Sequence, residues 1–367
     1  MPEMTKEERV VCALSREEPD RVPLYDLVSN VAVIEYYAGQ RLTLDNAEEV
    51  IPLALSRALD TTRIWMPSAP GRRKDEWGFV YERRDWFNEW QAQAPFHDLL
   101  GLVAFVRSEV ERLEAWQPDD PNHHIQELLR WKERFRDTVI PASMTGEALQ
   151  DAFISVGLEW FIWLEAEDAE LTRRWVDALH GKTMRALQQE AGCRIVSPVA
   201  WIFDDLAYKG RLIFSLAYLR EHGVFRRLAE ICDLYHSYGL KVIFHSDGYI
   251  RPLIPDLIAA GVDALAPIEI GAGLDLADLK ANFGRQVAFV GGMNVSGELS
   301  SGSVDDVRRA TLQVLATAGT GGGFIFGSSS EELFDVIPVE NIIAMLETAR
   351  ECGRYPIGAH FPPGFTW

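Results

Sequence analysis

Eight short runs rich in β-branched, aromatic and other apolar residues punctuate the chain, at 22–27, 62–66, 138–143, 199–203, 241–245, 264–268, 287–291 and 323–327. Several are almost unbroken in apolar residues, the pattern of strands covered on both faces. Patterns of helical period lie between them: 147–164 and 168–191 after the third run, 218–238 after the fourth, then 250–260, 274–282, 304–318 and 340–351. Such alternation predicts an α/β fold with a parallel sheet, and eight repeats of the unit predict a (β/α)8 TIM barrel. The rival, an open doubly wound sheet, carries a glycine-rich phosphate turn after an early strand. Val28-Ser29-Asn30-Val31 follows the first run and contains no glycine. Gly321-Gly322-Gly323 precedes a strand instead of leading from a strand into a helix, so it reads as a tight turn and not a phosphate loop.

The sequence predicts a single domain over 1–367. An N-terminal helix lies within 1–20, opened by a Thr5/Glu8 capping box and stopped by Pro19 to Pro23. A hairpin and loops are expected as an insertion at 67–121, where Trp77, Trp86 and Trp90 cluster. The formal charge of −19, from 36 basic against 55 acidic residues, argues against nucleic acid as a partner. No apolar run reaches the length of a membrane span, and the first residues lack the basic-then-apolar order of a signal peptide. Cys12, Cys193, Cys232 and Cys352 form no CxxC pair, so a reduced, cytoplasmic protein without a disulfide framework is the expectation.

In a barrel, working residues gather at the carboxyl ends of the strands, where the loops converge. Those ends carry Asp26 and Asn30, Asp204 and Asp205, His245 and Asp247, Glu269, Asn294 and Ser330. His245 closes an apolar run and can serve as a metal ligand or an acid/base. With Asp247 and Glu269 it offers the nitrogen and oxygen donors that zinc accepts. Asp204 and Asp205 are adjacent on a strand, so only one of them can face the interior. The tryptophan cluster is either core packing or a wall for a flat ligand, with Trp86 the residue taken for substrate contact.

The segments Glu8-Arg9-Val10, Glu18-Pro19-Asp20-Arg21-Val22-Pro23, Phe244-His245-Ser246-Asp247-Gly248, Ala260-Gly261-Val262-Asp263, Pro267-Ile268-Glu269, Ala272-Gly273-Leu274-Asp275 and Pro338-Val339-Glu340-Asn341-Ile342 resemble the uroporphyrinogen decarboxylase superfamily. The resemblance runs in order over nearly the whole chain and implies a (β/α)8 barrel. One branch of that superfamily decarboxylates a tetrapyrrole without a cofactor. The other moves methyl groups to or from a corrinoid carrier protein, generally with zinc.

No arginine occurs between Arg21 and Arg41, where the decarboxylases place guanidinium groups against their substrate's carboxylates, and Asp26 stands in that stretch. The thiol-methylating members use His-x-Cys, whereas His245-Ser246-Asp247 puts a carboxylate at the thiolate position. Oxygen ligands suit a Lewis acid acting on an ether or amine leaving group. The resemblance therefore implies a methyltransferase like the corrinoid-dependent O-demethylases, passing a methyl group from a small methylated donor to a corrinoid protein. In that reading His245, Asp247 and Glu269 hold zinc, and Asp204 or Asp205 orients substrate or takes a proton. Asn294 and Ser330 supply hydrogen bonds, and Asp26, Asn30 and Trp86 contact the donor. The alternatives are a carboxy-lyase acting on a tetrapyrrole or smaller carboxylate, and a non-catalytic barrel that binds a corrinoid or tetrapyrrole. A homodimer is a further expectation from the resemblance.

Overall fold

The computed structural model describes residues 3–118, 121–330 and 332–365; the remainder of the expected 1–367 domain lies outside the described residues. Six parallel strands hydrogen-bond in the order Phe324–Ser328, Ala288–Met293, Ala264–Ile268, Lys241–His245, Val199–Phe203 and Ser143–Gly146. Isolated parallel bridges then join Leu24 to Phe326, Tyr25 to Thr61 and Thr61 to Val139. Tyr25 N donates to Phe326 O at 2.9 Å and Thr62 N to Val139 O at 3.1 Å, so hydrogen bonding passes around a closed ring. The fold is α/β with a parallel sheet.

Side-chain alternation along the strands separates two cores. Val199, Trp201, Ile243, Ala264, Ala266, Ala288, Val290 and Ile325 point into the ring with Tyr25 and Val139. Ala200, Ile202, Val242, Phe244, Leu265, Phe289, Phe324 and Phe326 point outward against the helices. The ring floor is filled by Val10, Ala13 and Leu14 of helix Lys6–Leu14, whose Thr5 and Glu8 form the expected capping box. Ion pairs pin this plug: Arg9 reaches Asp20 and Asp60, and Arg21 also reaches Asp60, whose side chain is fully buried. With their partners in place, these buried charges are compensated.

Three strands keep the expected bounds, at 199–203, 241–245 and 264–268. The second run, 62–66, forms no ladder; its contact with the ring is Thr61 and Thr62. The insertion contains a three-stranded antiparallel sheet, Gly71–Lys74, Val80–Arg83 and Glu89–Gln93, where a hairpin was expected. It continues into helix Leu99–Ala115 instead of loops, because Asp98 caps Gly101 N and Leu102, Val106, Val110 and Leu113 form a buried stripe. Helices Val31–Ala38 and Ala47–Ala58 follow the first strand. The expected helix 147–164 is divided at Gly157, and 218–238 at Gly223. The four cysteines are free thiols. Among the described residues no helix is long and apolar enough to cross a membrane.

Candidate metal and substrate site

Strand parity decides which side chains reach the mouth of the ring. Val199 and Trp201 face inward, Phe203 packs on the same cluster, and Asp205 continues that series just past the strand end. Ile243 faces inward on the next strand, so His245 follows it to the mouth, with Asp247 two residues further. Asp205 Oδ1 lies 3.3 Å from His245 Nε2 and accepts a 2.9 Å hydrogen bond from Asp247 N. One ligand atom from each of Asp205, His245 and Asp247 falls within 4.8 Å of the others. Bound zinc, with ligand distances of about 2.0–2.2 Å in a tetrahedron, holds its donors roughly 3.3–3.6 Å apart. The Asp205–His245 pair already has that spacing, and the Asp247 donor lies within 4.8 Å of both. One imidazole and two carboxylates form a donor set suited to zinc, so these residues fit the ion that the resemblance implies.

Asp204 belongs to the outward series and is fully buried behind the site. Its Oδ1 accepts from Gln150 N at 3.1 Å, and it lies against buried Glu147, which pairs with Arg227 Nε. Burial pushes the Glu147 carboxyl up against the pull of Arg227. Burial and then repulsion by Glu147 push Asp204 well above the carboxylate range. Burial also acts to raise Asp205, but the His245 contact and the bonds from Asp247 N and Gln150 outweigh it and leave this carboxyl below its ordinary value. Of the two adjacent acids, Asp205 is the one at the mouth.

The other expected site residues divide. Ser330 and Glu269 line the same cleft as Asp205 and Asp247, with a volume of ≈ 460 Å³ and with Gln150, Phe153, Ile154, Tyr208 and Ile213 among its walls. Glu269 is not in the three-residue donor group: its Oε2 accepts from Gly248 N at 2.8 Å. A register shift between Leu265 and Ile268 interrupts the strand's alternation just before Glu269. Gly248 itself sits at φ +89°, and a Cβ there would lie 2.5 Å from Tyr208 N, so only glycine allows this close crossing.

Asp26 is fully buried and accepts from Ser328 Oγ at 2.5 Å and Ser328 N at 3.1 Å, which places it in the seam between the first and last strands. Asn30, expected to contact substrate, is a structural cap: its Oδ1 accepts from Val33 N and its Nδ2 donates to Phe334 O and Ile337 O. Trp86 lines a separate groove of ≈ 620 Å³ with Phe87, Ser29 and Phe334. Asn294 lines a crevice of ≈ 400 Å³ with Leu276 and Val314, from helices Leu276–Phe283 and Val304–Ala318, away from the donor group.

Arg63 and Gln150 were missed by the sequence reading. Arg63 Nε donates to Tyr25 Oη at 3.0 Å, and its guanidinium sits 4.8 Å from the Phe203 ring centroid. Phe203 in turn packs 5.1 Å, centroid to centroid, from the His245 ring. Arg63 lies within the run expected as the second strand, 62–66, which forms no ladder and offers no alternation from which to tell its inward face.

Residues 188–352 match the family model described as uroporphyrinogen decarboxylase (URO-D). The URO-D resemblance holds. A solved methyltransferase from Methanosarcina mazei is similar to this URO-D-like chain with a TM-score of 0.66 and 17% identity, over 95% of this chain and 99% of that one. At that identity the likeness is one of fold. The crystal structure of dispersin B (TM-score 0.37, 10% identity, 89% of this chain and 98% of that one) and the Ignisphaera aggregans GH53 catalytic domain (0.39, 14%, 89% and 96%) are more distant. No curated protein matches the sequence.

Proposed function

We propose that this URO-D-like chain is a (β/α)8-barrel methyltransferase that takes a methyl group from a small methylated donor, such as an aromatic methyl ether, and passes it to a corrinoid carried by a partner protein. The observation that carries the reading is the Asp205–His245–Asp247 donor group, two of whose members, Asp205 and Asp247, line a cleft of ≈ 460 Å³ at the strand ends. The fold likeness to a protein named a methyltransferase supports it.

A methyl ether is a poor electrophile because its leaving oxygen departs as a strong base; a divalent ion such as zinc, when bound, supplies Lewis acidity at that oxygen. This chain's residues do the rest. Asp205, His245 and Asp247 hold the ion, and the replacement of expected Glu269 by Asp205 leaves Glu269 to fix the Gly248 turn. Phe153, Ile154 and Ile213 present apolar walls to the methyl group, with Ser330 on the same lining.

One observation favours a second reading. Arg63 brings a guanidinium to the inner wall near His245, as a carboxy-lyase acting on a small carboxylate requires. Metal analysis and product analysis separate the two. Methyl transfer predicts about one zinc per chain after reconstitution, lost in His245→Ala, and consumption of free cob(I)alamin with an aryl methyl ether. Absence of stoichiometric zinc, or partly decarboxylated products from uroporphyrinogen, overturns the methyltransferase reading.

A further inference from the structure

We infer that Gln150 is a positioning residue that fixes the rotation of the Asp205 carboxylate, and so presents one of its oxygens to a divalent cation. The inference rests on the metal reading above.

Gln150 is 7% exposed and grips both members of the Asp204–Asp205 pair. Its backbone N–H donates to Asp204 Oδ1 at 3.1 Å, and its side-chain Nε2 donates to Asp205 Oδ2 at 2.8 Å. Asp205 Oδ1 is thereby left on the side of His245 Nε2, 3.3 Å away, and of Asp247 N. A carboxylate on a strand end turns readily about its χ2 torsion, which is broad and two-fold. On the Oδ1 side Asp247 N and His245 hold the carboxylate, and the Gln150 amide is its hydrogen-bond donor on the Oδ2 side among the described residues, so its loss frees that side to turn towards the cleft.

The platform under Gln150 is rigid. Glu147, at the end of the third strand, is fully buried and paired with Arg227, and its Oε2 accepts from Leu149 N at 3.2 Å. Ala148 between them holds φ at +109°, a conformation that an L-residue adopts only when its surroundings impose it. Gln150 then opens towards the cleft from the first turn of helix Leu149–Val156. Groups that orient metal ligands in this way typically change affinity by about 10–100-fold when removed.

The test compares wild type with Gln150→Leu, which keeps the volume and removes the donor, and with Gln150→Asn, which keeps an amide but shortens its reach. Co(II) is the probe, read by its visible absorption and by calorimetric titration. Gln150→Leu is expected to weaken Co(II) binding at least tenfold and to alter the absorption bands, with the metal-free thermal midpoint within 2 °C of wild type. Gln150→Asn is expected to fall in between. A crystal structure of Gln150→Leu should show the Asp205 carboxylate turned and its contact with His245 lost. Equal Co(II) affinity and spectrum in wild type and Gln150→Leu, or an unmoved Asp205, overturns the role of Gln150 alone. Failure of wild type itself to bind Co(II) overturns the metal reading and this inference with it.

Discussion

The seam that closes the ring can be tested at one atom. Gly327 lies in the last strand with its Cα against the first strand, and a Cβ built there would sit 2.2 Å from Tyr25 O. Ordinary contact begins near 3.4 Å, so the two strands must separate by roughly 1 Å. The obstructing atom is backbone, which cannot rotate away. Overpacking of this kind costs about 1–3 kcal/mol, with the upper end expected for an immobile neighbour. The separation also strains the bond from Tyr25 N to Phe326 O and those from Ser328 to Asp26, adding about 1 kcal/mol. Gly327→Ala should therefore destabilise the chain by about 3–4 kcal/mol. At roughly 2 °C per kcal/mol for a large domain, its thermal midpoint should fall by about 6–8 °C. Differential scanning calorimetry at constant pH measures this directly. A midpoint within 2 °C of wild type would show that the seam yields freely, and the closed ring would lose its energetic basis.

Three further outcomes follow from the site and its support. Asp205→Asn should lower Co(II) or Zn(II) affinity by tenfold or more, whereas Glu269→Gln should stay within threefold of wild type; the reverse order in a calorimetric titration returns Glu269 to the ligand set. Arg227→Met removes the cation paired with buried Glu147 and should destabilise by about 3 kcal/mol in urea unfolding, since a buried charge loses its partner. Burial raises the Glu332 carboxyl to about 7 despite a hydrogen bond from Ser29 Oγ. A raised folded-state pKa favours the protonated folded form, so this contribution to stability is fully present below pH 4.5 and lost as pH rises through about 7. Glu332→Gln should flatten the fall in stability across that window, and an unchanged pH profile of the midpoint removes Glu332 from the account.

How much was legible in the sequence varied around the ring. The runs at 199–203, 241–245 and 264–268 are covered on both faces, so their apolar content alone marked their bounds. The second strand was not, because a residue or two of contact carries no periodic signal. His245 and Asp247, which lie together in the donor group, were singled out by their place after an apolar run. Asp205 was recoverable by extending the inward parity of Val199, Trp201 and Phe203, but which parity faced inward is set by the closed ring and not by local pattern. Glu269 misled because a register shift precedes it, which a count of residues does not see. Asn30 was misread because a cap and a ligand contact use the same amide, and the distant carbonyls of Phe334 and Ile337 decide between them. Helix Leu99–Ala115 was plain in its spacing, yet the tryptophans before it drew the whole segment into a loop reading.

The ring is stitched unevenly. From Val199 to Ser328 neighbouring strands share ladders, with one register shift between Leu265 and Ile268, whereas Leu24, Tyr25, Thr61 and Val139 join through isolated bridges. Prising apart a ladder requires several bonds to fail together, whereas each bridged joint rests on two backbone hydrogen bonds. Asp205, His245 and Asp247 stand on the firmly laced arc. Amide hydrogen exchange should therefore be slower along the strands that carry Asp205, His245 and Asp247 than at the bridged flank.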